Sequence, residues 1–399
     1  DPNIKSVLFF VEGLPLSAPI IPVSPRRSQG AQLVLMFDEL EADAKYYYYS
    51  ITHYNQDWTP SSLSELEYLD GFNESTIDNY QYSRNTRVSY TNYQLRLPNE
   101  DVGFRVSGNY VIEVYEDEDE RRPIISRRFM VSEASGISVE ARIKPSWGDE
   151  QRRNYQELDF KVNHEGFEIK NPEREITVSV IQNRRWDSLI EGVRPLFIRN
   201  NVLDFEMRNE LVFASGKDYR FLDLRTTRNK NEKISGMYFN EEGVEVELYK
   251  ERTRSFDVFY EIDDLNGGYI VDNFDRLYPL ISSDYIQVLF SLGKPQPMEG
   301  KTLYIYGALT DHVLSDENKM IYNPAIKAYV GKLLLKQGYY DYFFVYTDED
   351  SKEPKKMRWT DTEGDSRDTE NDYTILIYYS PFGERYDRLI ATTTVRSFR

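Results

Sequence analysis

Cysteine is absent from the 399-residue chain, which excludes disulfides, thiolate nucleophiles, Cys-based metal sites and a lipid anchor on an N-terminal cysteine. No apolar run approaches the roughly 18 residues that a membrane-spanning helix needs, so we expect no direct membrane insertion. Basic residues are outnumbered, with 49 Lys and Arg against 67 Asp and Glu. The resulting net charge of −18 argues against nucleic acid and anionic lipid as partners.

Motifs for phosphate binding and hydrolysis are also missing. Neither glycine-rich phosphate-binding pattern occurs, and there is no Gly-x-Ser-x-Gly elbow. The three histidines, His53, His164 and His312, form no His-x-His or His-Glu-x-x-His pattern, so a zinc site has no support. His53 lies in an aromatic strand and the other two lie beside turn residues, which favours structural roles. We therefore predict no enzymatic activity and no catalytic, cofactor-binding or metal-binding residues.

Aromatic residues and alternating polarity dominate what is present. The 32 Tyr and 21 Phe favour strands. Segments 92–97 and 157–162 alternate apolar and polar residues, which is typical of antiparallel sheets with one wet face. Five further runs are apolar or aromatic on both faces, as in central sandwich strands: 33–37, 288–292, 303–306, 339–346 and 375–379. One helical signal, a capping pattern near 62–65, predicts one or two turns that end at Asp70-Gly71.

The domain organisation follows from length and linkers. A chain of this length predicts two to three domains. The small, polar stretch 132–136 predicts the first boundary, and the second falls somewhere in 250–284. We predict an all-β protein of three antiparallel β-sandwich domains, of immunoglobulin or E-set type. They span residues 1–133, 134–255 and 256–399.

Three features carry a charge or aromatic signal. The acidic loop 361–372 lacks the ligand order of an EF-hand, so it is either a solvated loop or a weak calcium site. The acidic run 116–120 predicts an exposed hairpin tip. The aromatic runs 46–49 and 339–346 place Tyr on both strand faces. They are either core with cross-strand pairs or, on one face, a docking surface.

Several segments occur together in the order and spacing of one known family. They are residues 57–61, 67–73, 97–100, 107–110, 127–131, 284–285, 306–310, 335–340, 378–379 and 385–389. Over nearly its whole length the chain resembles the plug protein family of the type IX secretion system of Bacteroidota.

The resemblance implies a non-catalytic periplasmic protein. Such a protein binds the outer-membrane translocon barrel of the SprA/Sov type, with its associated complex, and seals the periplasmic opening when no substrate is in transit. The resemblance supplies no active site and does not tell which residues contact the barrel. Because the chain begins at Asp1 without the segments of a signal peptide, we expect any such peptide to have been removed.

A second resemblance concerns the last domain. Segments 302–307 and 327–340 are similar to the immunoglobulin-type fold of glycogen-binding modules, but residues 309–312 stand where those modules carry a sugar-stacking Trp. The missing Trp indicates a shared fold with lost or absent glycan binding. The fold of this domain and the tyrosine content nevertheless make a carbohydrate-binding accessory protein of the cell envelope the alternative function. A glycosidase or esterase with positioned carboxylates is a third hypothesis.

Overall fold

A computed structural model describes residues 1–24, 30–116, 121–147, 151–206, 210–241, 243–349 and 356–397. Strands dominate these ranges, and the all-β class that the alternating patterns predict is confirmed. Helix is confined to single turns: α1 (Glu65–Tyr68), α2 (Gln151–Asn154), α3 (Pro172–Glu175), α4 (Pro279–Ser282) and the 3-10 turns Trp186–Ser188 and Ala308–Thr310. In the same ranges, no helix is long and apolar enough to cross a membrane.

The first unit of the fold comprises β1 to β11. Its strands are β1 (Ile4–Val11), β2 (Ile20–Pro22), β3 (Leu33–Glu39), β4 (Tyr48–Tyr54), β5 (Leu69–Gly71), β6 (Glu74–Thr76), β7 (Tyr80–Tyr82), β8 (Thr91–Leu97), β9 (Val102–Phe104), β10 (Gly108–Tyr115) and β11 (Ile125–Ser132). One sheet has the order β1-β3-β8-β7, another β2-β11-β10-β4-β6, and β5 pairs with β9. The core contains a stacked Phe37–Tyr93 pair at 5.1 Å and a stacked Tyr110–Phe129 pair at 5.2 Å between ring centroids.

The middle unit combines two distant parts of the chain. It contains β12 (Ser138–Pro145), β13 (Tyr155–Asn163), β14 (Ile176–Gln182), β15 (Ile190–Val193), β16 (Phe197–Arg199), β17 (Val202–Asp204), β18 (Val212–Ala214), β28 (Asp372–Tyr379) and β29 (Arg388–Arg396). One sheet has the order β12-β13-β17-β16, with β18 also on β13, and the other has the order β15-β14-β28-β29. Residues of both sheets share one core, in which Phe160 stacks on Phe205 at 4.6 Å.

The third unit lies between these two parts in sequence. Its strands are β19 (Arg220–Asp223), β20 (Ile234–Asn240), β21 (Gly243–Leu248), β22 (Tyr269–Val271), β23 (Tyr285–Gly293), β24 (Lys301–Tyr306), β25 (Lys319–Asn323), β26 (Ala328–Lys336) and β27 (Gly338–Asp348). They form a nine-stranded sheet of order β19-β27-β24-β25-β26-β23-β21-β20, with β22 on β27. Leu222 of β19 and Val246 of β21 lie in the same buried cluster, so the sheet folds over a single core.

The sheets depart from the predicted contiguous segments 134–255 and 256–399. Strand β28 pairs antiparallel with β14 along its whole length, from Ile176 opposite Tyr379 to Gln182 opposite Tyr373. Strands β19 to β21 join the nine-stranded sheet instead of the middle unit. The reason is that turn signals mark where strands end, whereas pairing between distant strands leaves no local trace in the sequence.

Local features follow the residues that encode them. The predicted helical segment is the single turn α1, which is closed by a capping box between Ser64 and Glu67 and not by the residues at 62–65. The turn at Gln337-Gly338 joins β26 to β27 as its sequence indicates. Most of the predicted hairpin tip, residues 117–120, lies outside the described residues.

Candidate functional site

The three histidines lie apart and each is enclosed by its own surroundings. His53 is buried against Tyr110 and Tyr386, with ring centroids 4.8 and 5.5 Å away, and its Nε2 lies 3.1 Å from the Ser107 carbonyl. Burial lowers its pKa to about 4. His312 has a pKa lowered to about 3, also by burial, and the buried His164 approaches the Phe167 carbonyl through Nδ1 at 3.0 Å. The structure does not bring these side chains together.

In the acidic loop 361–372, carboxylates accept hydrogen bonds from side chains of the protein itself. Glu363 is fully buried and accepts bonds from Arg220 Nε at 2.9 Å and Arg254 Nε at 2.7 Å. Burial acts to raise the pKa of Glu363, but the two guanidiniums hold it below its ordinary value. Asp365 accepts a bond from Trp359 Nε1 at 2.9 Å. Across the described ranges, no group of three or more acidic or His side chains is placed to hold a metal ion.

The aromatic runs lie mainly in the cores. Tyr47 and Tyr49 are buried, whereas Tyr46 is exposed. Within β27, the side chains from Tyr340 to Tyr346 are all buried. Of the two hypotheses for these runs, core packing therefore accounts for nearly every ring, and each contributes about 1.5–3 kcal/mol of burial.

A buried ion pair joins the first unit to the third. Lys336 Nζ of β26 lies 2.6 Å from Asp38 Oδ2 of β3, with side-chain exposures of 1% and 0%. Tyr285 donates a hydrogen bond to the same carboxylate at 2.6 Å, and Asn92 donates one to its other oxygen at 2.8 Å. The ammonium also lies 4.1 Å from the centroid of the Tyr90 ring. Because a buried charge without its partner is costly, this cluster fixes the two units together.

A second joint connects the first unit to the middle unit. Tyr378 of β28 donates a hydrogen bond to Asn109 of β10 at 2.7 Å, and both residues are buried. The loop between β28 and β29 covers His53 with the ring of Tyr386. Beside it, Asp387 accepts a bond from the Gln56 backbone N–H at 3.0 Å. Through these contacts the loop packs against the first unit.

The third joint connects the middle unit to the third. The buried guanidinium of Arg185 lies 5.6 Å from the Tyr306 ring centroid and 5.1 Å from that of Trp359. Asp187 pairs with Arg185 at 2.8 Å and accepts a bond from Tyr306 Oη at 2.9 Å. Burial acts to raise the pKa of Asp187, but Arg185 holds it below its ordinary value.

Where the three units meet, they enclose a cleft of about 490 Å³. Arg128 of β11 lines it, and its guanidinium lies 4.4 Å from the Trp58 ring centroid and 5.1 Å from that of Trp186. This stack links the first and middle units by cation–π contact. With three joints among three units, the arrangement is closed, and no unit can swing about a single connection.

Two of the exposed apolar segments lie between β21 and β23. In the first, Phe256, Val258 and Tyr260 are exposed by 100%, 93% and 81%, and the segment belongs to none of the sheets. The second lies just before α4, where Leu277 and Tyr278 are exposed by 81% and 71%. Exposed apolar side chains in clusters are typical of protein interaction sites.

Residues 4–133 match the family model described as type 9 secretion system plug protein, first domain. The chain belongs to the type IX secretion system plug family. This family assignment confirms the resemblance drawn from the segment order, and it associates the protein with the secretion system. The matched range corresponds to the first unit, from β1 to the end of β11.

A solved structure extends the similarity to the whole chain. The crystal structure of a hypothetical protein from Parabacteroides merdae has a TM-score of 0.92 and 31% sequence identity. The match covers 100% of this chain and 98% of that chain, so it includes all three units. No curated protein gives a significant match.

For a member of the plug family, the residues of interest are those that face a partner, and sequence reasoning named none. Both exposed segments fall within 250–284, a range whose sequence predicts a domain boundary and no contact surface. The available signal was a set of apolar residues, among them Phe256, Leu277 and Tyr278, in a stretch without strand alternation. Short loops of this kind carry contacts more often than cores do.

Proposed function

We propose that this protein is a non-catalytic periplasmic plug. It binds the outer-membrane translocon barrel of the type IX secretion system and closes the periplasmic opening of that barrel when no substrate is in transit. Family membership supports the association with the secretion system, and the plug role that the family name gives is structural.

The observation that carries the proposal is the closed set of joints among the three units. A body that blocks an aqueous pore has to keep its shape under load. The buried Asp38–Lys336 pair, the Asn109–Tyr378 hydrogen bond and the Asp187–Tyr306 hydrogen bond each connect a different two units. A chain of sandwiches joined only by linkers would bend at each linker.

Opening must be reversible, because secretion requires a free pore. Docking and release then form a two-state equilibrium, in which substrate and plug favour different states of the translocon. The plug needs no chemistry of its own for this, only a difference in affinity between the two states.

Co-purification tests the proposal. The tagged full-length protein is expressed in cells that make the translocon, and envelopes are solubilised in mild detergent. We expect the translocon barrel, identified by mass spectrometry, to be recovered with the protein. Recovery of the protein alone, together with retention on a polysaccharide column, would refute the plug and favour carbohydrate binding.

A further inference from the structure

The loop before α4 holds an aromatic residue in an unfavourable backbone conformation. Tyr278 has φ 61° and ψ 64°, in the left-handed region that bulky residues rarely adopt, and it precedes Pro279, which disfavours helical backbone before it. Ser282 Oγ donates hydrogen bonds to the carbonyls of Leu277 at 2.7 Å and Tyr278 at 3.0 Å. Asn273 in turn donates to the Ser282 carbonyl at 3.1 Å. The surrounding bonds therefore impose the strain.

The strained backbone holds two side chains in solvent. Leu277 and Tyr278 point away from every core, although the loop beneath them is held firmly. Strained, over-determined residues cluster at functional sites. A rigid, exposed tyrosine is also a typical interface anchor, because little conformational entropy is lost when it is covered.

Arginines from the first unit surround the same loop. The backbone N–H of Arg84 donates to the Ile281 carbonyl at 2.7 Å, and Arg276 of the loop itself donates to the carbonyl of Asn85 in the first unit. The guanidinium of Arg87 lies 5.3 Å from the ring centroid of the exposed Phe239. Arg84 and Arg87 are exposed, and among the described residues their guanidiniums have no carboxylate partner.

The carboxylates close to this loop do not cancel the charge at the surface. Asp284 is buried, accepts a bond from the Arg87 backbone N–H and lies 3.7 Å from Arg276. Asp275 is 12% exposed and already pairs with Arg228, whose Nε lies 3.1 Å from its Oδ1. The exposed charge is therefore cationic, in a chain whose net charge is −18.

We propose that the Arg–Tyr tip, defined as Arg84, Arg87, Arg276, Leu277 and Tyr278, docks onto a carboxylate-rich protein surface of the translocon. This inference rests on the proposed plug function and adds the face and the chemistry of contact. An acidic surface repels most of this chain and attracts the tip. The electrostatic field of such a surface therefore turns the protein so that the tip approaches first.

The composition of the tip favours a protein partner over a membrane. Its cations are all arginines, whose planar forks bind carboxylates with two parallel hydrogen bonds. Arginine and tyrosine are the residues enriched at the centres of protein interfaces. An amphipathic helix, the usual element that lies on a lipid surface, does not occur here, since α4 is a single turn.

The test measures capture of the identified translocon barrel from detergent-solubilised envelopes by full-length variants. One variant combines Arg84→Glu with Arg87→Glu. The second is Tyr278→Gly, which removes the ring while the left-handed backbone suits glycine, so the fold should be kept. The matched control is Phe382→Ser, which removes a fully exposed ring close to Glu384 in the loop between β28 and β29, outside the tip. Unfolding midpoints verify that each variant is folded.

We expect both tip variants to capture about tenfold less translocon than wild type, as for hot-spot residues, and the control to capture as much as wild type. Wild-type capture should also fall with added salt. If the folded tip variants capture as much translocon as wild type, the proposed docking by the tip is refuted and the proposed plug function is not. If wild type captures none, the plug function itself fails.

Two further measurements address the other occupants. Binding of wild type to vesicles of 30% phosphatidylglycerol in phosphatidylcholine, lost in the Arg84→Glu/Arg87→Glu variant, would assign the tip to a membrane and overturn the inference. A dimer in solution that the same variant dissociates would assign it to a second copy of the chain. We expect neither.

Discussion

Replacing Lys336 by methionine removes the ammonium from the joint between the first and third units. Asp38 then keeps a buried charge, and its remaining side-chain donors among the described residues are neutral: the Tyr285 hydroxyl at 2.6 Å and the Asn92 amide at 2.8 Å. Breaking a buried pair on one side costs about 3–5 kcal/mol, because the remaining charge is uncompensated. Burial already lowers the pKa of Lys336, and Asp38 opposes this, so the ammonium depends on its partner.

The control lies on the same strand. Lys332 is half exposed and pairs with Glu245 at 3.5 Å, so Lys332→Met should cost less than about 1 kcal/mol. Adding Asp38→Asn to Lys336→Met removes the stranded charge. The double variant should therefore be more stable than Lys336→Met alone, by about 1 kcal/mol or more.

Urea unfolding at pH 7, followed by tryptophan fluorescence, measures these differences. Chains of several units need not unfold in one step, so the midpoint of the first transition is compared. If Lys336→Met unfolds at the same urea concentration as Lys332→Met, the pair does not hold the two units together, and the rigid-body argument loses its main support.

Two further predictions concern the joint between the first and middle units. Gly108 has φ +140°, and an added Cβ would lie 2.4 Å from His53 Nε2 and 3.2 Å from the Asp387 carbonyl oxygen. Gly108→Ala should therefore lower the unfolding midpoint much more than Gly383→Ala, where φ is +94° but no atom lies within 4 Å of the added Cβ. Equal midpoints for the two variants would contradict this packing. His53 has a folded pKa of about 4, below its unfolded value, so wild type should lose stability relative to His53→Gln as pH falls from about 6.5 to 4, by about 1.4 kcal/mol per pH unit. Parallel stability profiles for these two proteins would show that His53 is not buried.

The strands themselves could be predicted because burial of one or both faces gives a strand a recognisable pattern of apolar residues. Alternation at 92–97 corresponds to β8, where Tyr93, Leu95 and Leu97 are buried, and the two-sided apolar run 375–379 corresponds to β28, a strand covered on both faces. The pairing of β14 with β28 could not be predicted, since either strand would satisfy its period beside many others. The discontinuous middle unit follows from that one pairing.

The contacts between the units and the Arg–Tyr tip could not be predicted from the sequence, for two different reasons. Asp38 and Lys336 lie 298 residues apart, and each reads locally as an ordinary polar residue at a strand end. Only the tertiary fold makes them a pair. Tyr278 precedes a proline, a context that predicts extended backbone, whereas the hydrogen bonds of Ser282 force the left-handed conformation.

Outer-membrane permeability tests the plug most directly. A strain that lacks this protein but keeps its translocon is compared with the same strain carrying the wild-type gene, by uptake of a fluorescent solute too large for ordinary porins. We predict that uptake rises on deletion, returns to the parental level on complementation, and needs the translocon, because removing both proteins should abolish the leak. Uptake that is unchanged by deletion, with the translocon present at its normal level, would contradict the account.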